Sequence, residues 1–292
     1  MTAASANKSA SNHSGRRSFL AITAADLIVR SAYQMGKTPL LPLFAASLGA
    51  GDVFLGLIVS VSTLTGMVLK PFIGVFSDRW GRTKWLLAGT MLFAVMPFLY
   101  RFVQTPEQLF AIRIVHGLAT AIYGPVTLAF VAEQARPDKR AGKFGLFSLG
   151  RSAGYIIGPA MAGWLLMRMA PEQVFTVIGL LSCLAFLPVL FLGNAQVAAR
   201  KSHLPVSKQI REAMQSGVKN PAIWISGGLD AAVYIALYAL KAFLPVYGAS
   251  LGMSVLQVGL FFSLQEAASM ILKPLGGRLG DRWGHLKTIG LG

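Results

Sequence analysis

Asp26, Arg30, Gln34 and Lys37 follow one another at spacings of four, four and three residues, and Asp230, Tyr234, Tyr238 and Lys241 repeat that spacing farther along the chain. Residues three and four apart share one face of a helix, so each set predicts a polar stripe on a single helix. A carboxylate in such a stripe can take up a proton or hold a cation. A guanidinium can hold an anion, or simply neutralise Asp26 one turn away. Arg113 and His116 form a second polar pair, and Glu266 and Arg151 stand in otherwise apolar stretches. His116 belongs to the residue type that changes charge near neutral pH, which makes it a candidate proton carrier as well as a packing hydrogen-bonder.

These polar groups are set in a chain that is 54% hydrophobic and only 13% charged over 292 residues. That balance points to a membrane protein. Eight apolar stretches of about the length needed to cross a bilayer recur at 19–47, 53–76, 85–104, 108–131, 144–167, 173–193, 221–247 and 254–276. Strand-type alternation is missing from them, so helices are the way to satisfy the backbone in lipid. Charges are costly there, so those that persist are expected to face a cavity or a partner. Arg30, Asp230 and Glu266 fall near the midplane at about 1.5 Å per residue, whereas Lys37 and Lys241 approach the outer surface. Lys70 and Lys273 lie near the opposite ends of their spans and can snorkel.

The formal net charge is +16. Most of the Lys and Arg sit in the N-terminal tail and in every second break between apolar stretches, among them Arg79, Arg82, Lys84, Lys208, Arg211, Arg278 and Arg282. This is the positive-inside pattern of a chain with its N-terminus in the cytoplasm, and it accounts for the basic charge without nucleic acid. The expected organisation is a disordered cytoplasmic tail (1–18), a six-helix bundle (19–193), a cytoplasmic linker (194–220) carrying an amphipathic surface helix near Lys208–Ser216, and a partial second bundle (221–292). Both ends are expected on the cytoplasmic side of the cell (inner) membrane. Cys183 is the sole cysteine, and no P-loop, nucleophile elbow or zinc spacing is present, so no enzyme, cofactor or metal is expected.

The stretch Leu69–Lys84, "LKPFIGVFSDRWGRTK", returns 203 positions later as Leu272–Lys287, "LKPLGGRLGDRWGHLK". Leu41-Pro42, Ala46–Gly49 and Gly56-Leu57 recur at the same offset. The seventh and eighth helices therefore restate the first and second, and matching polar faces in two related halves are what a binding site at a repeat interface requires.

With its G-x3-D-R-x-G-R-x-K loop between the second and third helices, here Gly74, Asp78, Arg79, Gly81, Arg82 and Lys84, the chain resembles the major facilitator superfamily of secondary transporters. The copy after the eighth helix reads Gly277, Asp281, Arg282, Gly284 and Lys287, with His285 in place of Arg. The resemblance assigns these loops to conformational gating. A second resemblance, to the glycine motif of the fifth helix in drug:proton antiporters, rests on Gly145, Gly154, Gly158, Pro159 and Gly163, with Ala162 departing from the pattern. "RIVHG" resembles the R-x-x-Q-G motif tied to proton coupling, matching at Arg113 and Gly117 with His116 in place of Gln. Glu133 and Arg140 are expected to make inter-helix loop contacts.

The resemblance implies an all-α integral membrane fold of two helical bundles rocking around a central site. It implies proton-coupled efflux of amphipathic small molecules, with the lipid bilayer, protons and a small-molecule substrate as partners. Candidate substrate or proton contacts are Asp26, Arg30, Gln34, Arg113, His116, Asp230, Tyr234, Tyr238 and Glu266. Uptake of a nutrient or organic anion is the alternative, because Arg30, Arg113 and Arg151 suit an anion equally well. A third reading is a non-transporting membrane protein or assembly subunit. Members of the family usually have twelve helices, and this sequence stops at "TIGLG", where a ninth would begin. Either this is a fragment of a longer chain that holds the remaining C-terminal helices, or its mechanism departs from alternating access.

Overall fold

The computed structural model describes the backbone of residues 3–134, 140–192 and 205–284. All regular structure among them is helical. The first span begins as α1 (Ala3–Met35), breaks at a π-helical turn over Gly36–Leu40, and ends as α2 (Leu41–Ser47). Thr38 leaves helical geometry there, and Pro39 withholds a backbone donor from the ladder. α3 (Asp52–Trp80), α4 (Arg82–Leu99), α5 (Pro106–Gln134) and α6 (Arg140–Leu166) follow. The sixth span is split into α7 (Pro171–Cys183) and α8 (Phe186–Leu190). α9 (Val206–Val218) is the linker helix, and α10 (Pro221–Ser250) and α11 (Val255–Trp283) are the seventh and eighth spans.

Helix α1 reaches back to Ala3, into the stretch expected to be a disordered tail. No proline interrupts Ala3–Met35, and the alanines at 3, 4, 6 and 10 favour continued helix. Among the described residues, six helical segments are long and apolar enough to cross a membrane by length and composition: 52–80, 82–102, 106–134, 171–190, 221–250 and 255–276. The two other expected spans, in α1 and α6, are helical but more polar, because α1 carries Asp26, Arg30 and Gln34 and α6 carries Arg151 among many glycines.

The repeat is visible in the backbone. The positive-φ residues are all glycines: Gly49 (φ +87°) and Gly252 (+80°), then Gly81 (+90°) and Gly284 (+89°), each pair 203 positions apart. A left-handed turn favours glycine because no Cβ opposes it, so the same two turns are built twice by the same residue. Gly49 and Gly252 mark one end of the bundle, Gly81 and Gly284 the other.

The buried core falls into two clusters, both built from the first half apart from Ala242 of α10 in the second. One gathers Phe19, Ile22, Val29, Phe93, Tyr123, Val126 and Phe130; the other, toward the Gly49 end, gathers Met35, Leu40, Phe44, Leu55, Ile58, Leu109 and Phe175. Outward-facing positions remain apolar, including Leu57, Leu64, Met67, Met91, Leu146 and Leu180, as a lipid-facing surface demands. The second half meets the first near the Gly49/Gly252 end, where α6 packs on α11 and Phe243 of α10 faces Gly56 of α3. Residues 221–236 of α10, toward the other end, are exposed throughout.

Candidate functional site

The seam between α1 and α6 is made by a row of glycines four residues apart. A Cβ at Gly150 would lie 2.8 Å from Thr23 Cγ2. At Gly154 it would lie 2.9 Å from Arg30 Cβ and 3.0 Å from the Leu27 oxygen, and at Gly158 2.6 Å from Gln34 Cβ and 2.9 Å from the Ser31 oxygen. Backbones approach this closely only where side chains are absent. The approach brings Arg151, one residue past Gly150, against Asp26.

Asp26 is fully buried and its carboxylate is clasped by two guanidiniums. Arg151 Nε donates to Oδ2 at 2.9 Å and Arg151 Nη2 to Oδ1 at 3.1 Å, a bidentate pair. Arg30 Nε lies 3.5 Å from Oδ1, the one-turn pair expected from sequence. Arg151 Nη2 also reaches Thr127 Oγ1 on α5 at 3.4 Å. The cluster thus ties α1, α5 and α6 together, and Gln34 is buried two turns along α1 against Gly158.

Gly117 explains the neighbouring motif on α5. A Cβ there would meet the Ser62 oxygen at 2.9 Å, so α3 and α5 touch backbone to backbone. One turn earlier on the same face, buried Arg113 reaches α3 and donates from Nε to the Ile58 carbonyl and from Nη2 to the Val59 carbonyl, both at 3.1 Å. His116 Nδ1 shares a hydrogen bond of 2.9 Å with the Tyr100 hydroxyl, and its ring is met edge-on by Tyr33 and Phe93. Both residues line a small cleft inside the first half, formed by α1, α4, α5 and α7.

On the second half, Glu266 Oε1 accepts from Lys241 Nζ at 2.8 Å. Lys37 Nζ crosses between the halves to the Tyr238 hydroxyl at 3.2 Å and stands 4.3 Å from that ring's centroid. Lys37 and Lys241 are both buried. Tyr33 and Tyr238 enclose the first, and Glu266 pairs with the second. Tyr234 packs on Tyr238 at 5.9 Å between centroids, and Asp230 one turn earlier is exposed. The structure therefore brings Asp26 and Arg30 together, and joins Tyr238 to Lys37. It leaves Asp230 apart from both groups.

The remaining residues of the glycine motif divide by neighbour. A Cβ at Gly163 would lie 2.7 Å from the Val255 oxygen and 3.0 Å from Leu256 Cα, and Gly259 of α11 sits against the Pro159 carbonyl. The Ala160 amide, next to Pro159, donates across to Ser263 Oγ at 3.0 Å. Gly145 has nothing within 4 Å of its Cβ position. One row of small residues on α6 thus closes on α1 within the first half and on α11 across the halves.

At the α3–α4 turn, Arg82 Nη2 bridges Asp78 at 2.8 Å and Glu133 at 2.7 Å, joining the turn to the end of α5. Arg79 Nε donates to Gln209 of α9 at 2.8 Å. Gly74 lies in α3, Gly81 makes the turn, and Arg82 starts α4. Of the second copy, Gly277, Asp281 and Arg282 lie in α11 and Gly284 follows it. The side chain of Asp281 and all of His285 and Lys287 lie outside the described residues, as does the side chain of Arg140.

Sequence reasoning missed the principal partner of Asp26, because Arg151 is 125 residues away and only the α1–α6 seam makes them neighbours. Gly150 extends the motif one turn and is visible in hindsight as its four-residue continuation. Tyr33 and Tyr100 carried no signal beyond their residue type.

A six-helix half whose first two spans recur as α10 and α11, clearly apolar spans and ion pairs buried between helices define a helical membrane protein. The chain belongs to the Major Facilitator Superfamily, whose family model matches residues 28–292. It is 28% identical over 238 residues to "Uncharacterized MFS-type transporter YuxJ" of Bacillus subtilis, covering 80% of this chain and 60% of that one. It is also 28% identical over 265 residues to "Multidrug resistance protein MdtG" of Salmonella paratyphi A, covering 86% and 64%. The chain thus spans somewhat under two thirds of the length of these relatives. Among solved structures it superposes on a bacterial homologue of the human lysosomal transporter Spinster with TM-score 0.67 at 17% identity, covering 92% of this chain and 61% of that one. A peptide transporter gives TM-score 0.66 at 15% identity, with coverage of 91% and 69%. Both likenesses concern the fold.

Proposed function

We propose that the chain works as part of a proton-coupled exporter of amphipathic small molecules that alternates access between the two sides of the membrane. The observation that carries this reading is the packing of α6, whose Gly150, Gly154 and Gly158 close on α1 within one half while the adjoining Pro159 and Gly163 close on α11 across to the other. A surface that joins the halves through bare backbone can separate and close again as a unit, without breaking a buried ion pair. The relative named for multidrug resistance supports the choice of cargo.

The carboxylates divide the labour. Asp26 is held by Arg151 and Arg30 and fixes α1 to α6. Asp230, exposed on α10, and Glu266, paired with Lys241, are the carboxylates this reading assigns to proton exchange. Arg113 sets the field at the neighbouring face of α5. A proton at Asp230 or Glu266 favours one facing state and bound substrate the other, so exchange follows from their competition. In this reading the Gly81/Gly284 end, with its basic turns, faces the cytoplasm, and both ends of this chain lie on that side.

Uptake of an organic anion has its own support, because Arg30, Lys37, Arg113 and Arg151 outnumber Asp26 among the charges of the first half's interior. The test is transport by the natural protein in proteoliposomes, with labelled amphipathic cations and organic anions under imposed pH gradients. Export predicts proton influx driving cation exchange, and Arg113→Ala should abolish the proton-driven component far more than substrate binding. Accumulation of an anion with protons would establish uptake instead, and equal loss of binding and coupling in Arg113→Ala would remove Arg113 from the coupling role.

A further inference from the structure

The cleft inside the first half is lined by Tyr33, Lys37, Tyr100, Arg113, His116 and Ser182 together with apolar side chains. Its polar lining is rich in donors. Arg113 directs Nε and Nη2 to the Ile58 and Val59 carbonyls, and a guanidinium has further N–H groups beyond those two. His116 Nδ1 pairs with the Tyr100 hydroxyl at 2.9 Å, and in the tautomer where that hydroxyl donates, the imidazole proton sits on Nε2. That Nε2 is buried and has no hydrogen-bond partner. Lys37 gives one of its three ammonium protons to Tyr238.

Neither Lys37 nor Arg113 is paired with a carboxylate among the described residues: the ion pairs engage Asp26, Asp78, Glu133 and Glu266 elsewhere. Two buried cations without counter-charge are costly in an apolar span, and a water in the cleft would satisfy donors without neutralising either. The enclosed space is about that of one water, so it excludes an organic substrate, and a halide enters it only with a small outward shift of the surrounding side chains.

We infer that this cleft is an anion site, holding one halide-sized monovalent anion such as chloride between Lys37, Arg113 and the Nε2–H of His116. The inference is independent of the direction of transport, because every one of these groups belongs to the first half and the cleft is too small for cargo. An anion here fixes the kink at Gly36–Leu40 against α5, so it favours the arrangement in which Lys37 reaches Tyr238.

The test is thermal unfolding of the purified protein in detergent, followed by tryptophan fluorescence, as chloride replaces gluconate at constant ionic strength. Tm should rise with chloride and saturate, by about 3–6 °C at ten times the dissociation constant. Lys37→Met should remove the chloride dependence, and in gluconate it should be at least as stable as the parent because an uncompensated buried charge is gone. Should Lys37→Met fail to fold, His116→Phe reads the same site and should weaken the apparent chloride affinity about tenfold or more. Identical Tm values in chloride and gluconate, or a chloride dependence undiminished in these variants, would overturn the assignment.

Discussion

Gly158→Ala and Gly145→Ala change the same residue type in the same helix motif, yet they should move stability in opposite directions. At Gly158 a new methyl would sit 2.6 Å from Gln34 Cβ, 2.9 Å from the Ser31 oxygen and 3.0 Å from the Met35 nitrogen. Two of these neighbours are backbone and cannot rotate away, so α1 and α6 must part. Overpacking of this kind costs about 1–3 kcal/mol, and the helix propensity gained by replacing glycine returns about 1 kcal/mol at most. The net loss is up to about 2 kcal/mol, which for a chain of this size lowers Tm by up to about 4–8 °C. Gly145 has nothing within 4 Å, so its alanine variant keeps the propensity gain and should be as stable as the parent or slightly more so. Thermal unfolding of both variants in detergent, monitored by size-exclusion chromatography after heating, reads the difference directly. Equal Tm values for the two variants would refute the claim that the glycine row is a backbone seam.

The other glycine contacts predict a further outcome. Gly163→Ala places a methyl 2.7 Å from the Val255 oxygen, on the seam between the halves. It should lower Tm by an amount similar to Gly158→Ala and also separate α6 from α11, seen as a longer spin-label distance between the halves at the Gly49/Gly252 end. An unaltered distance would count against that seam as the closing surface. Asp26→Asn leaves Arg151 and Arg30 without their carboxylate and should cost about 3–5 kcal/mol. Adding Arg151→Gln should recover part of that loss, and strict additivity in thermal unfolding would show that the two residues do not interact.

The membrane class, the helical spans and the repeat were legible because each rests on a signal many residues long. Apolar stretches of bilayer length and a gapless echo of sixteen residues leave few alternatives. The amphipathic linker helix was legible too, and appears as α9. Individual contacts were legible only within one turn of helix. The Asp26–Arg30 pair follows from four-residue spacing, whereas the shorter Asp26–Arg151 pair depends on how two helices lie together. The burial of the lysines at 37 and 241 was not legible for a related reason. Depth along a span can be counted from sequence, but which way a side chain faces depends on the kink at Gly36–Leu40 and on neighbours such as Tyr238 and Glu266.

The seam between α6 and α11 lies near one end of both helices, and that position makes the pair a lever with its fulcrum off centre. From Gly259 to Trp283, α11 extends roughly 36 Å at about 1.5 Å per residue. A tilt of only about 10° at the glycine contact would sweep the far end through roughly 6 Å. A sub-ångström adjustment where the backbones touch therefore becomes, at the opposite mouth, an opening comparable to the width of an aromatic ring.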